Sequence, residues 1–540
     1  MNQFVTEVTR GAGSAFTENG AVSYASFGTE LMNQFGKAGS YMNRPIQDVF
    51  VDQAKLFSEN PLDSLKFAFY LRMITRKTKL FAGKDTETIQ RGQGLKDESL
   101  KRLTWFALYH PELFYSNAWL IPMVGSWKDL WVLMSMNNSI DRKRLYSLIA
   151  EGIKDERNVD LVKKYLPRIR STKKCTTDWA KNTNAFAKEF ASYVGWTPKQ
   201  YREFKSTGKA HEFQRYICKG LYSKIDWNTI PGKALLNLVS GKFLANHNLS
   251  DSYLNWIMAQ PVAKFNGYPY ELGIKLPKDS WSSRSTTTIK PILKHTLDKQ
   301  FKNLIQTAKS DNGAIKGNVW CALDTSGSMT CSINDRGVTA FDVCVALGIY
   351  FSELNEGAFH NNVIMFDSTS RVKQLKGEFT DKWMDIVRSN TAWGSTNFQS
   401  VIDEIVRIRK QNPNIPLTDY PETLLVVSDM QFNPSDSWRY ESGAERTNYE
   451  AAKAKLAKVF PAEFVENFKI VWWQVNGSRT TDFPSTMDCG GTYVFSGFDG
   501  AIISHLLGNN GPDGSNSKNP TMEEIIDTAL GQEVLQFVKA

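Results

Sequence analysis

The chain is poor in the residues that build disulfide scaffolds and zinc sites. Its six cysteines (Cys175, Cys218, Cys321, Cys331, Cys344 and Cys489) are scattered without a CxxC pair. Reduced, mostly buried thiols are therefore expected rather than a disulfide framework or a zinc ribbon. The six histidines are equally dispersed, and none pairs with another at the i, i+4 spacing of a metal-binding helix. No stretch approaches the ~18 uninterrupted apolar residues of a membrane span. The opening MNQFVTEVTRGAGS has neither the basic start nor the apolar core of a secretory signal. A soluble, cytoplasmic protein with no membrane partner is the expectation. P-loop and dinucleotide glycine motifs are missing, as is a G-x-S-x-G nucleophile elbow. An enzyme is not expected.

What is present is an uneven charge. The whole chain holds 65 Lys+Arg against 56 Asp+Glu, and residues 316–540 hold 19 against 28. That leaves 46 against 28 in residues 1–315, a strongly basic half joined to an acidic one. Such asymmetry points to a polyanionic partner for the basic half. The alternative is that these cations only solvate helix faces.

The texture of the sequence changes along the chain. Residues 1–45 are rich in Gly, Ser, Ala and Asn, and read as a loosely ordered arm. From 46 to 315, apolar residues recur every three or four positions, as in DSLKFAFYLRMI (63–74), ESLKRLTWFALYH (98–110) and KDLWVLMSM (128–136). These are amphipathic helices. Trp105, Phe106, Trp127 and Trp131 fall at core spacing. Breakers at Asn60-Pro61, His110-Pro111, Gly125-Ser126, Thr197-Pro198 and Ile230-Pro231 separate the helices. Successive helical pairs predict an α-solenoid with degenerate repeats.

From 316 to 510, β-rich runs alternate with helical patterns: 317–324, 361–366, 423–429, 468–475 and 491–497. This predicts a doubly wound α/β domain with a parallel sheet. Residues 511–540 read as a flexible loop and a terminal helix packing back.

The first of these strands ends in Asp324-Thr325-Ser326-Gly327-Ser328. Ligands of doubly wound sheets bind at the carboxyl ends of strands. One carboxylate and two hydroxyls spaced two apart suit Mg²⁺ or another hard divalent cation. Thr396 follows in the loop TAWGSTNF, and Asp429 ends the strand TLLVVSD. D-x-S-x-S, a later Thr and a strand-end Asp, in that order, resemble the metal-ion-dependent adhesion site of von Willebrand factor A-type domains. The resemblance implies that Ser326, Ser328 and Thr396 contact the ion, with Asp324 direct or through water and Asp429 through water. It also implies an open position for a partner protein's carboxylate. Trp393, in the same loop, would then shape the partner's approach.

Three stretches widen the resemblance: NPLDSLKFAFYLRMI (60–74), HPELFYSNAWLIPMVGSWKDLWVLM (110–134) and LPRIRSTKKCTTDWAKNTNAFAKEFASYVGWTPKQYREF (166–204). Together with FDVCVALGIYFSEL, WGSTNFQSVIDEI, VVSDMQF and VFSGF in the acidic half, they resemble the viral and bacterial branch of TROVE/Ro-type proteins. That family implies a ring of HEAT-like helices, here a monomeric one, beside the A-type domain. It implies binding of small structured noncoding RNA and single-stranded RNA ends, and a protein partner at the metal site, in some members an exonuclease.

Three basic clusters are candidates for RNA contact: Arg168, Arg170, Lys173, Lys174 and Lys181; Arg72, Arg76, Lys77 and Lys79; and Arg202, Lys205 and Lys209 with His211. After the second cluster the chain departs from its relatives, which carry a glycine-rich basic run there. Two other readings stay open: a metal-dependent protein-adhesion module, and a structural component of a larger, viral assembly, both without RNA.

Overall fold

The punctuation read from the sequence becomes helix junctions. Asn60 ends the helix Ile46–Glu59 and caps the helix Pro61–Arg72, with its side chain accepting from Asp63 N and Pro61 in the first turn. Proline is pre-set for that position because its missing N–H would have no partner there. Ser126 and Asp129 form a capping box on Trp127–Met136, and Thr197 and Gln200 form another on Pro198–Ser206.

The computed structural model describes residues 14–78, 88–208, 212–277, 288–315, 317–334, 336–390, 393–435, 446–476, 482–500 and 520–539. The chain divides into two compact units, Arg44–Ile230 with Leu530–Ala540, and Met1–Asn43 with Pro231–Ala529. This division differs from the expected boundary at 315/316. The break falls at Ile230-Pro231, which the sequence marks only as one of several breaks between helices.

The first unit is helical, apart from a short hairpin pairing Arg76–Thr78 with Thr88–Gln90. Successive helices pack on their neighbours: Ile46–Glu59 on Pro61–Arg72, and both on Lys96–Tyr109. Phe106, Trp127 and Trp131 are buried at 0%, 4% and 2% exposure, and Trp105 at 7%, so the helical spacing did mark core positions. The last residues of the chain join this unit, where Asn117 and Lys539 exchange two bonds of 2.9 and 2.8 Å.

The second unit is built on a six-stranded mixed sheet. Its strands are β1 (Val319–Asp324), β2 (Asn362–Phe366), β3 (Ser370–Gln374), β4 (Thr423–Ser428), β5 (Lys469–Gln474) and β6 (Thr492–Ser496), in the order β6-β5-β4-β1-β2-β3. All neighbours are parallel except β2 and β3. The expected sheet was wholly parallel, and β3 was not read. Its sequence SRVKQ is a half-exposed edge strand whose weak alternation gives little signal.

Two further segments belong to this unit. Helix Pro291–Asn312 buries Leu297, Phe301, Ile305 and Ala308 along one stripe. It docks on helix Phe379–Ser389, with Phe301 stacked on Phe379 at 4.3 Å and Asp298 accepting from Thr380 N at 2.9 Å. Residues 14–43, expected as a loose arm, form a hairpin and the helix Glu30–Ala38 against β6. Ala38 is fully buried there, and Gly39 N donates to Ser496 Oγ at 3.0 Å. The expected helix at 499–507 and loop at 508–520 lie almost wholly outside the described residues. The terminal helix is Met522–Leu530, followed by a 3₁₀ turn.

Candidate cation centre and basic groove

The central strands β1 and β4 run in parallel with Leu323 opposite Val427, so Asp324 and Ser428 lie level at their carboxyl ends. Both are fully buried. Asp324 Oδ2 accepts from Ser428 Oγ at 2.5 Å, and Oδ1 accepts from Ser326 N at 2.9 Å. Ser326 and Ser328 hydroxyls stand 3.2 Å apart. The expected pair of hydroxyls therefore does face one point.

The loops that carry the other candidates are tied to this turn. Gly327 N donates to Gly394 O at 3.0 Å. A Cβ at 327 would stand 3.3 Å from Trp393 O, so the close approach favours glycine. Asn433 N donates to Thr396 O at 2.9 Å and joins the loop after β4 to the loop that carries Thr396. Thr396 and Asp429 are buried at 1% and 0%.

Two non-glycine residues adopt the left-handed region in these loops, Trp393 with φ +44° and Met430 with φ +63°. Such backbone conformations are costly and persist where surrounding contacts enforce them. Met430 N is held by Ser428 Oγ at 2.9 Å, and the Trp393 ring packs edge-on to Phe341 at 4.9 Å.

Burial, and then the neighbouring Asp429, hold the Asp324 carboxyl well above the usual carboxylate range. Cys344 Sγ lies beneath, 3.5 Å from Asp324 O and 3.3 Å from Val427 O, and burial pushes that thiol up. Two buried carboxylates beside hydroxyl oxygens, with no sulfur or imidazole in the set, fit a hard divalent cation. Ser428 was missed in the sequence, although its place before Asp429 at a strand end was a usable signal.

A second feature missed is the N-terminal hairpin (Ser14–Phe16 paired with Val22–Tyr24). Its turn sits on the segment just after Asp429. Thr17 Oγ1 donates to Phe432 O at 2.7 Å, Glu18 N to Gln431 Oε1 at 2.7 Å, and Asn19 Nδ2 to Gln431 O at 2.5 Å.

In the helical unit, the segment Leu166–Arg170 leaves helix Val159–Tyr165 and is strapped at three points. Tyr201 Oη donates to Pro167 O at 2.8 Å, Lys205 Nζ to Leu166 O at 2.6 Å, and Arg170 N to Asn184 Oδ1 at 2.8 Å. With its main chain held inward, the segment leaves Arg168 and Arg170 exposed. They line a groove of about 370 Å³ together with Lys128, Lys164 and Trp179. A second groove, of about 510 Å³, shares Lys164, Arg168 and Lys205 with the first and adds Lys163, Arg202 and Arg215. Among the described residues, Arg168, Arg170 and Arg202 make no ion pair.

The remaining candidates are placed differently. Lys173 and Lys174 are exposed on a 3₁₀ turn, and Lys181 is paired with Asp178 at 3.0 Å. Arg72 is turned inward onto fully buried Asp129, at 2.7 Å, which it shares with Lys96. Arg76 and Lys77 lie on the short hairpin, and their side chains fall outside the described set, as do Lys79, Lys209 and His211.

Lys205 caps the end of helix Val159–Tyr165, donating also to Lys163 O at 3.0 Å. Burial, and then Arg168, lower its ammonium to about 8. A base whose folded value lies below its unfolded one gives stability that rises with pH between the two. The wild-type chain should therefore gain stability between about pH 8 and about pH 10.4 relative to Lys205→Met. Parallel urea titrations of the two proteins across that window check this, and curves of equal slope would contradict it.

Residues 319–534 match a family described as "Domain of unknown function (DUF7788)". Over 530 residues the chain is 22% identical to "Uncharacterized protein L728" of Acanthamoeba polyphaga mimivirus, covering 92% of this chain and 85% of that one. A crystal structure of Deinococcus radiodurans Ro (RSR) protein superposes on 93% of this chain and 99% of its own, at 14% identity and a TM-score of 0.43.

Proposed function

We propose that this protein is an RNA-binding scaffold of Ro type whose helical unit holds RNA on its basic groove. The observation that carries this reading is the pair of confluent grooves with Arg168 at their junction. Cations concentrated along a concave track, three of them arginines without acidic partners among the described residues, match a phosphate backbone better than they match water. The charge balance of residues 1–315 and the TROVE/Ro resemblance point the same way.

In the α/β part, Asp324, Ser326, Ser328, Thr396 and Asp429 would hold a divalent cation, Mg²⁺ being the natural choice for an all-oxygen set with few protein ligands. When bound, the ion would offer an open position to a partner protein's carboxylate. The protein's own residues would hold that site: Ser428 bonds the Asp324 carboxylate, the Gly327–Gly394 bond ties the two loops, and Trp393, packed on Phe341, would shape the approach. No catalytic step is part of this reading.

The test is fluorescence anisotropy of the full chain with a labelled single-stranded RNA across a salt series. With about four phosphates neutralised, log K should fall with log salt at a slope near −3. Arg168→Glu with Arg170→Glu should remove most of the affinity. Absence of RNA binding at low salt would end this reading and leave the cation centre, and with it protein adhesion, as the function.

A further inference from the structure

Among the cations of the basic groove stands an exposed tryptophan. Trp179 is 42% exposed, although it is large and apolar. It is the second residue of helix Asp178–Tyr193, which starts at the Thr177 cap. On a helix, positions 179, 183, 186 and 190 share one face. Phe186 and Phe190 on that face are 3% and 0% exposed. Trp179 thus continues the core stripe one turn past the core's edge and enters the groove, with Thr183 beside it.

Lys128 Nζ stands 5.9 Å from the indole centroid. A cation at that range is attracted to the ring quadrupole. The indole is therefore flanked by a positive charge, in a groove that also holds Arg168 and Arg170. Phosphate recognition alone has no use for an exposed indole. A nucleobase does, since every base has a face that stacks on an aromatic ring.

The two grooves meet at Lys164, Arg168 and Lys205. A strand lying over Trp179 would cross Arg168 to reach Arg202 and Arg215. Duplex RNA cannot use this arrangement, because its bases are already paired and stacked inside the helix.

We propose that the two grooves form one track for unpaired RNA, with a base stacked on Trp179 and the sugar–phosphate backbone passing over Arg168. This rests on the RNA-binding reading above and adds the place where an unpaired strand lies and the residue on which its base stacks. An acidic peptide would satisfy the cations but bring no base to the exposed indole.

The test uses the full-length protein with four probes: a single-stranded RNA carrying 2-aminopurine, the same sequence as a duplex, inorganic polyphosphate, and an acidic peptide. Trp179→Ala should weaken the single strand roughly ten- to a hundredfold and leave polyphosphate binding unchanged. It should also abolish the quenching of 2-aminopurine that stacking produces. Trp179→Phe should restore much of both. Arg168→Gln should weaken single strand and polyphosphate alike. The proposal is overturned if Trp179→Ala leaves the single strand unaffected, or weakens polyphosphate equally. It also falls if duplex or acidic peptide binds as tightly as the single strand. Should RNA of every kind fail to bind the wild-type chain, the functional reading fails with it. Should RNA bind and only the Trp179 effects be missing, that reading survives and this one does not.

Discussion

Replacement of Asp129 by alanine is expected to destabilise the helical unit by about 3–5 kcal/mol. The Asp129 carboxylate is fully buried and takes bonds from every side. Arg72 Nε donates to it at 2.8 Å and Lys96 Nζ pairs with it at 2.7 Å, while Ser126 N donates at 3.0 Å as part of the capping box on helix Trp127–Met136. Three elements are joined through this one side chain: the end of helix Pro61–Arg72, the start of Lys96–Tyr109 and the start of Trp127–Met136. Alanine leaves Arg72, only 12% exposed, without its carboxylate. An uncompensated buried charge is the costly outcome, more so than loss of the pair itself. The triple variant Asp129→Ala, Arg72→Met, Lys96→Met should therefore recover much of the loss. Chemical denaturation followed by circular dichroism measures both. A loss below about 1 kcal/mol for the single variant would mean that the pair behaves as a solvent-exposed one.

The second large effect has opposite signs with and without a cation. Burial and mutual repulsion of Asp324 and Asp429 work against the folded state when no cation is bound. Asp324→Asn removes one of the two charges; its amide oxygen still accepts from the Ser326 N–H, and its NH2 donates to Ser428 Oγ, reversing the bond that the carboxylate accepts. Freed of divalent ions by a chelator, this variant should melt above the wild type. With Mg²⁺ at about a hundred times Kd, the wild type should gain about 2.7 kcal/mol, or several degrees at roughly 2–4 °C per kcal/mol. The variant should gain nothing. Scanning calorimetry in chelator and in Mg²⁺ reads all four values. A metal-free variant less stable than the metal-free wild type would show that the carboxylates do not repel. A Mg²⁺ shift that persists in the variant would place the cation elsewhere.

Both predictions turn on carboxylates, yet only one stands out in the sequence as a candidate cation ligand. Asp324 stood out because D-x-S-x-S after a β-run is a local pattern: strand, turn and donors all lie within a few residues. Asp129 lies in an ordinary helix start, and its partners Arg72 and Lys96 are 57 and 33 positions away. For the same reason Arg72 reads as an exposed cation ready for phosphate. The sequence shows a basic side chain at a helix end, and only the fold shows the buried acid it meets. Lys205 is a similar case, with an ammonium engaged by the carbonyls of another helix.

Trp179 misleads in the opposite direction. Its spacing to Phe186 and Phe190 marks a core position, and periodicity cannot show where along a helix the core ends. Whether the last residue of a stripe is covered depends on how far the neighbouring helices extend.

The order of elements, the helix junctions at Asn60-Pro61 and Thr197-Pro198, the change from helical to alternating texture near 316 and the turn bearing Asp324, Ser326 and Ser328 follow from the sequence by itself. Each depends on interactions within a few residues: a cap, a missing proline N–H, a period of apolar side chains. The assignment of residues 14–43 and 231–312 to the α/β unit, the antiparallel edge strand β3, the union of Arg168 and Arg202 in one track and the bond from Ser428 to Asp324 were decided by tertiary structure. An amphipathic stripe states that a face will be buried, and the choice among faces of similar apolarity is made by shape, which no local pattern contains.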